Sequence, residues 1–172
     1  MEFVEYLRPG ARATRGYAER LVSEVPENIF ARMPVVRGEP IQINHPAFVL
    51  GHLSLYPAQL AEMSGIEVGK MEIPSAYSEL FKMGVVCVDD PEGTIYPPKS
   101  ELVERYFGAT DALMERLSEI PRESFDTLLE NPSRRERFGT VGAFLAYLLL
   151  AHQQTHLGQI SAWRRCMGLG AV

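Results

Sequence analysis

The sequence is poor in cysteine, has no long apolar run and carries no stripe of basic residues. Its 172 residues include only Cys87 and Cys166. They form no motif and could pair only if the fold brought them together, so the chain reads as a reduced, cytoplasmic protein. The most apolar stretch, 141–151, is too short to span a bilayer and is followed at once by polar residues. The N-terminal Met-Glu-Phe-Val-Glu-Tyr carries acids where a signal peptide has lysines, and no secretory leader is expected. With a formal charge of −5 and its densest basic cluster at Arg134, Arg135 and Arg137, the chain lacks the positive face a nucleic-acid reader needs to displace counterions. The cluster reads instead as a solvated helix entrance. No internal repeat, low-complexity tract or Gly/Ser-rich linker divides the sequence, so residues 1–172 are expected to form one domain. Hydrophobic residues at 46% and charged residues at 23% are the ordinary balance of a globular chain long enough to bury a core.

Four long helical patterns separated by proline-rich breaks are present. The first is expected over 9–25, with Tyr17, Leu21 and Val25 on one face and Pro26 at its end, although Gly10 and Gly16 weaken it. Residues 32–43, with Pro34, Gly38 and Pro40, read as an extended connection. Asn44-His45-Pro46 then marks a helix start, with Asn44 or His45 as cap. That second helix carries Phe48, Val49, His52, Leu53, Tyr56 and Leu60, fades near Gly65, and is expected to kink or end early at Pro57. Residues 65–98 are the least regular, with a short helix over 74–83, an extended piece over 85–88 and a proline-rich loop beyond. Segments of this length within one domain are usually functional or mobile. A third helix starts at Ser100 and closes at Pro121. After Asn131-Pro132-Ser133 comes the strongest pattern, capped by Thr140, in which Leu145, Leu148, Leu149, His152, His156, Ile160 and Trp163 recur at steps of three and four. Gly168 and Gly170 end it. No strand pattern of comparable length competes. The class is therefore all-α, and a four-helix bundle is the economical packing.

Three of the four histidines sit on helical stripes that otherwise read as core. His152 and His156 are four apart and project from one face of the last helix, a spacing at which two imidazoles approach one ion. Gln153, Gln154 and Thr155 lie between them, so the zinc-protease version with its adjacent Glu is not supported. A catalytic metal wants three protein ligands and an open position, and His52 on the second helix is the natural third. The competing reading makes each histidine a hydrogen-bonded core residue. His45, seven residues before His52, reads as a helix cap and as a further group near the mouth.

The stretches Pro46-Ala47-Phe48-Val49-Leu50-Gly51-His52-Leu53 and Ala151-His152-Gln153-Gln154-Thr155-His156-Leu157-Gly158-Gln159-Ile160 resemble the DinB/YfiT-like family, and the resemblance runs over the whole chain. It implies an up-down-down-up four-helix bundle holding a divalent metal, often zinc or nickel, through His52, His152 and His156. Phe48 stands where the family commonly has Trp, and the 65–98 segment between the second and third helices is longer than in compact members.

Three neutral imidazoles leave a divalent ion its full double charge, so it can lower the pKa of a bound thiol or water. Two enzyme readings follow. In one, a low-molecular-weight thiol cofactor attacks an electrophilic small-molecule substrate or takes part in an isomerisation, as thiol-transferase members of the family imply. In the other, water hydrolyses a small amide or ester. A non-catalytic, metal-stabilised binding or dimerisation module is the alternative from a different class. Supporting groups would be Tyr56, Gln59, Gln153 and Gln159, with Glu19 as a distant candidate base. A homodimer is expected from the resemblance alone.

Overall fold

The computed structural model describes residues 3–172; Met1 and Glu2, which open the acidic N-terminal stretch, lie outside the described residues. The described chain is all-α apart from one small hairpin. Helix α1 spans Phe3–Val22. It begins six residues before the expected start at Pro9, which lies inside it. A proline there removes one backbone bond. Val4, Leu7, Ala11, Thr14, Ala18, Leu21 and Val22 nevertheless keep one buried face across it, so packing outweighs the lost bond. Gly10 has a reason of its own, since a Cβ there would stand 2.9 Å from Leu150 Cδ2. The glycine lets α1 approach the last helical rod closely.

Within 32–43, strands β1 (Val35–Val36) and β2 (Glu39–Pro40) pair antiparallel. Arg37 and Gly38 turn between them, both at positive φ, as a two-residue hairpin requires. Helix α2 covers Pro46–Leu53 and α3 covers Tyr56–Ser64. The break at Ser54-Leu55 falls just before Pro57, which takes the first turn of α3. Gly65, at φ 74°, ends α3 in the left-handed conformation.

Helix α4 spans Ser75–Phe81. Residues 85–88 join no strand among the described residues, against expectation. The segment is instead moored by its side chains and carbonyls. Asp89 accepts from two guanidinium nitrogens of Arg32, Nε and Nη2, and from the Met33 amide. Asp90 accepts from the amides of Thr94, Ile95 and Tyr96, and Gln42 donates to the Cys87 carbonyl. Helix α5 spans Lys99–Arg116.

The last rod is less regular than its sequence period suggests. After α6 (Arg122–Asp126), Asn131 caps a separate α7 (Pro132–Phe138), and Thr140 caps α8 (Val141–Ala146). A π-helical segment, Tyr147–His152, then leads into α9, Gln153–Cys166. Leu169 and Gly168 amides bond back to Arg164 and Arg165 carbonyls, a Schellman ending built on Gly168 at φ 77°.

Helix α1 packs on α9, on the π segment and on α5; α2 packs on α4, α5 and α9; α3 packs on α5 and α8. The core has two apolar clusters. One gathers Leu21, Leu50, Leu53, Phe81, Leu102, Tyr106, Ile160 and Trp163. The other gathers Leu7, Leu60, Leu113, Leu117, Leu145 and Leu149. Cluster membership gives each rod a direction. Helix α1 and the α8–α9 rod run from the second cluster to the first, while α2–α3 and α5 run from the first to the second. No described helix is long and apolar enough to cross a membrane.

Candidate metal centre

His52 closes the first-cluster half of its rod, and His152 and His156 straddle the same level on theirs, between Leu149 and Leu157. Their ring centroids lie 5.4 Å (His52–His152), 4.6 Å (His52–His156) and 4.6 Å (His152–His156) apart. One nitrogen of each falls within 4.8 Å of the others, the single such group of metal-ligating side chains among the described residues. A group of three histidines that could hold a metal ion is therefore present.

The hydrogen bonds decide which nitrogens face the centre. His52 Nδ1 lies 2.7 Å from the carbonyl oxygen of Phe81. A carbonyl only accepts, so Nδ1 carries the proton and Nε2 the lone pair. The Tyr56 hydroxyl stands 3.1 Å from that Nε2 and donates to it. His156 Nδ1 lies 3.0 Å from Gln159 Oε1, which also accepts from Asn44 Nδ2 at 3.0 Å. That oxygen fixes the proton on Nδ1 and leaves Nε2 as the ligand atom. Protein-held outer nitrogens of this kind orient metal-binding imidazoles.

His152 differs. Its Nδ1 is buried with no protein hydrogen-bond partner, an arrangement that costs free energy unless something satisfies the ring. Tyr56 and Tyr147 pack against this imidazole with centroids 4.6 and 5.7 Å away. Burial, then the neighbouring charges of His156 and His52, pushes its pKa down to about 3. Burial also lowers His52 and His156. All three rings are thus neutral at pH 7, the state a metal ligand must have. The residues fit a divalent ion on their donor set, their tautomers and the one orphaned nitrogen.

His45 does not join them. It is fully buried, its Nδ1 accepts from the Phe48 amide at 3.2 Å and its Nε2 donates to the Val88 carbonyl at 2.9 Å. Both ring nitrogens are spent on backbone, so it is the cap of α2 and not a fourth ligand. Gln153 accepts from the buried Tyr106 hydroxyl at 2.7 Å, and Glu19 pairs with Arg15. Gln59, with its amide turned to suit its neighbour, accepts from Arg134.

Several contributors were invisible in sequence. Phe81 acts through its backbone carbonyl, which any residue supplies. Gly51 is legible only in hindsight: a Cβ there would overlap the Phe81 ring, so the glycine before His52 admits the 65–98 segment to the ligand. The π-helical turn ending at His152 carries no signal in the period of the apolar residues, although such turns recur at functional sites. Compared with models of known protein families, with curated proteins and with solved structures, the chain matches none.

Proposed function

We propose that this protein is a metal-dependent thiol S-transferase of the DinB/YfiT-like kind. In this reading it is an up-down-down-up four-helix bundle in which His52, His152 and His156 hold one divalent transition metal, zinc or nickel foremost. The opposed rod directions and the long crossover between α3 and α5 support that arrangement. The observation that carries the functional reading is the set of three neutral imidazoles from two rods. Two have their outer nitrogens pinned, and the third has a buried nitrogen left over.

Such an ion, when bound, supplies a double charge that draws down the pKa of an adjacent thiol. The chain's own groups do the rest. Phe81 and Gln159 hold two rings in the ligating tautomer. Burial raises the pKa of Tyr56, so its hydroxyl stays protonated at neutral pH and remains a donor toward an anion forming beside His52. Tyr147 and Tyr56 pack against the His152 ring and hold it in place. No Asp or Glu joins the three-histidine group among the described residues. That favours a nucleophile needing no base beyond the ion, a thiol, over amide hydrolysis, which must also protonate a leaving group.

The test is metal analysis of untagged protein by plasma mass spectrometry, followed by consumption of a low-molecular-weight thiol in the presence of an alkylating electrophile. About one equivalent of transition metal and thiol conjugation that vanishes in His152→Ala support the reading. Equal metal content in wild type and variant would overturn the site. Metal without conjugation would leave a metal-stabilised binding module.

A further inference from the structure

The side of the centre lined by Tyr56 and Tyr147 carries two guanidinium groups that the metal reading leaves unused. Arg134 and Arg137 both belong to α7. Arg134 lies over the Phe144 ring, 5.1 Å from its centroid, and within hydrogen-bond reach of Gln59, one turn beyond Tyr56 on α3. Arg137 lies over Phe138 and Tyr147, at 5.0 and 5.4 Å, and the Tyr147 ring lies 5.7 Å from that of His152. Arg137 therefore stands one aromatic ring from His152, and Arg134 stands on Phe144, which stacks on that same Tyr147 at 6.3 Å.

Neither has a carboxylate within salt-bridge distance among the described residues. Arg8, Arg15, Arg32 and Arg116 all do. Glu62 and Glu130 line the same cleft of about 410 Å³ as Arg134 and Gln59 but are exposed and make no ion pair with it. Stacking on aromatic faces fixes a guanidinium plane and leaves its edge donors for a planar anion. Arg134 and Arg137 thus place two guanidinium groups, held on aromatic faces and outside any ion pair among the described residues, on the Tyr147 side of the three-histidine group.

We propose that Arg134 and Arg137 form an anion subsite that takes the carboxylate of the thiol acting at the three-histidine centre. This rests on the metal-site reading above and adds the substrate class: a small thiol acid rather than a neutral thiol. Gln59, bonded to Arg134, is the residue that holds the guanidinium on the Phe144 face.

The test uses mercaptohexanoate and mercaptohexanol, matched in chain length and differing in the carboxylate. Each is titrated calorimetrically into metal-loaded wild type, the Arg134→Gln/Arg137→Gln double variant and Arg135→Gln. Arg135 lies on the same helix, exposed and off the aromatic wall, so its loss is a control for net charge. Wild type and Arg135→Gln should bind the acid at least ten-fold more tightly than the alcohol. The double variant should bind the two alike, with its affinity for the alcohol and its metal content unchanged. The subsite is overturned if wild type does not prefer the acid, if neither probe binds, or if the preference survives in the double variant or is lost equally in Arg135→Gln. Metal content, measured on the same samples, separates the two readings: one equivalent without acid preference removes the subsite alone, whereas no metal removes the centre beneath it.

Discussion

The backbone carbonyl of Phe81 accepts a hydrogen bond from His52 Nδ1 at 2.7 Å, joining the crossover segment to the innermost histidine. The bond exists because Phe81 can lie on α2 at Gly51, where a Cβ would overlap its ring. A one-carbon addition there should push Phe81 away and leave His52 without its orienting partner. Gly51→Ala is expected to destabilise the fold by about 1–3 kcal/mol through overpacking and to weaken metal binding about 10- to 100-fold, the usual cost of losing an outer-shell partner. Urea unfolding and zinc titration of the same preparation measure both. Unchanged zinc affinity would show that His52 needs no help from Phe81.

Gln159 and Asn44 make a second relay, through Oε1 to His156 Nδ1. Gln159→Ala should cost roughly ten-fold or more in metal affinity. Gln159→Glu should restore it, since a carboxylate accepts the same proton more strongly. Asn44→Ala should fall between wild type and Gln159→Ala, because it removes the support of the acceptor and not the acceptor itself. Competition with a chromophoric zinc chelator ranks the three. A Gln159→Glu variant no better than Gln159→Ala would mean that the side chain packs rather than orients.

The helical rods and the three histidines were legible because burial writes a period of three and four into a sequence, and His52, His152 and His156 fall on it. The cap at Thr140 and the break before Pro57 were legible for equally local reasons. The start of α1 was not, since Pro9 is a breaker by local chemistry and only the long-range contacts of Val4 and Leu7 carry the helix through it. The mooring of residues 85–96 leaves no mark in the sequence for a related reason: Asp89 and Asp90 satisfy backbone and Arg32 across 56 or more residues in one case and a tight local turn in the other. Nothing in the spacing of apolar side chains distinguishes those aspartates from solvated ones.

His45 makes stability depend on pH in a defined direction. Burial lowers its pKa below 6.5 in the folded protein, and protonation would turn the acceptor of the Phe48 amide into a donor. A group with a depressed folded pKa holds its proton more readily when unfolded. Its contribution is therefore fully present above about pH 6.5 and is lost as the pH falls below that toward the folded value. The nearby carboxylates of Asp89 and Asp90 oppose the shift but do not cancel it. His45→Asn keeps a good capping residue and removes the titration. Urea midpoints between pH 7.5 and 4.5 should fall less steeply for that variant than for wild type. Parallel curves would assign the acid sensitivity to other groups.

The orphaned Nδ1 of His152 makes opposite predictions for the metal-free and metal-loaded protein. Without metal, the fold carries a buried polar atom whose unmet hydrogen bond costs about 1–3 kcal/mol. His152→Leu removes that atom and keeps an apolar side chain against Tyr56 and Tyr147, so the metal-free variant should be at least as stable as metal-free wild type. With zinc at about one hundred times its dissociation constant, wild type should gain about 2.7 kcal/mol by mass action, seen as a rise of roughly 5–10 °C in Tm for a chain of this size. The variant should gain almost nothing, because two imidazoles bind far more weakly than three. Thermal unfolding with chelator and with zinc, run on both proteins, gives all four values. A variant that is clearly weaker without metal would mean the ring is a packed core group, and one that still gains the full zinc shift would mean the ion is held elsewhere.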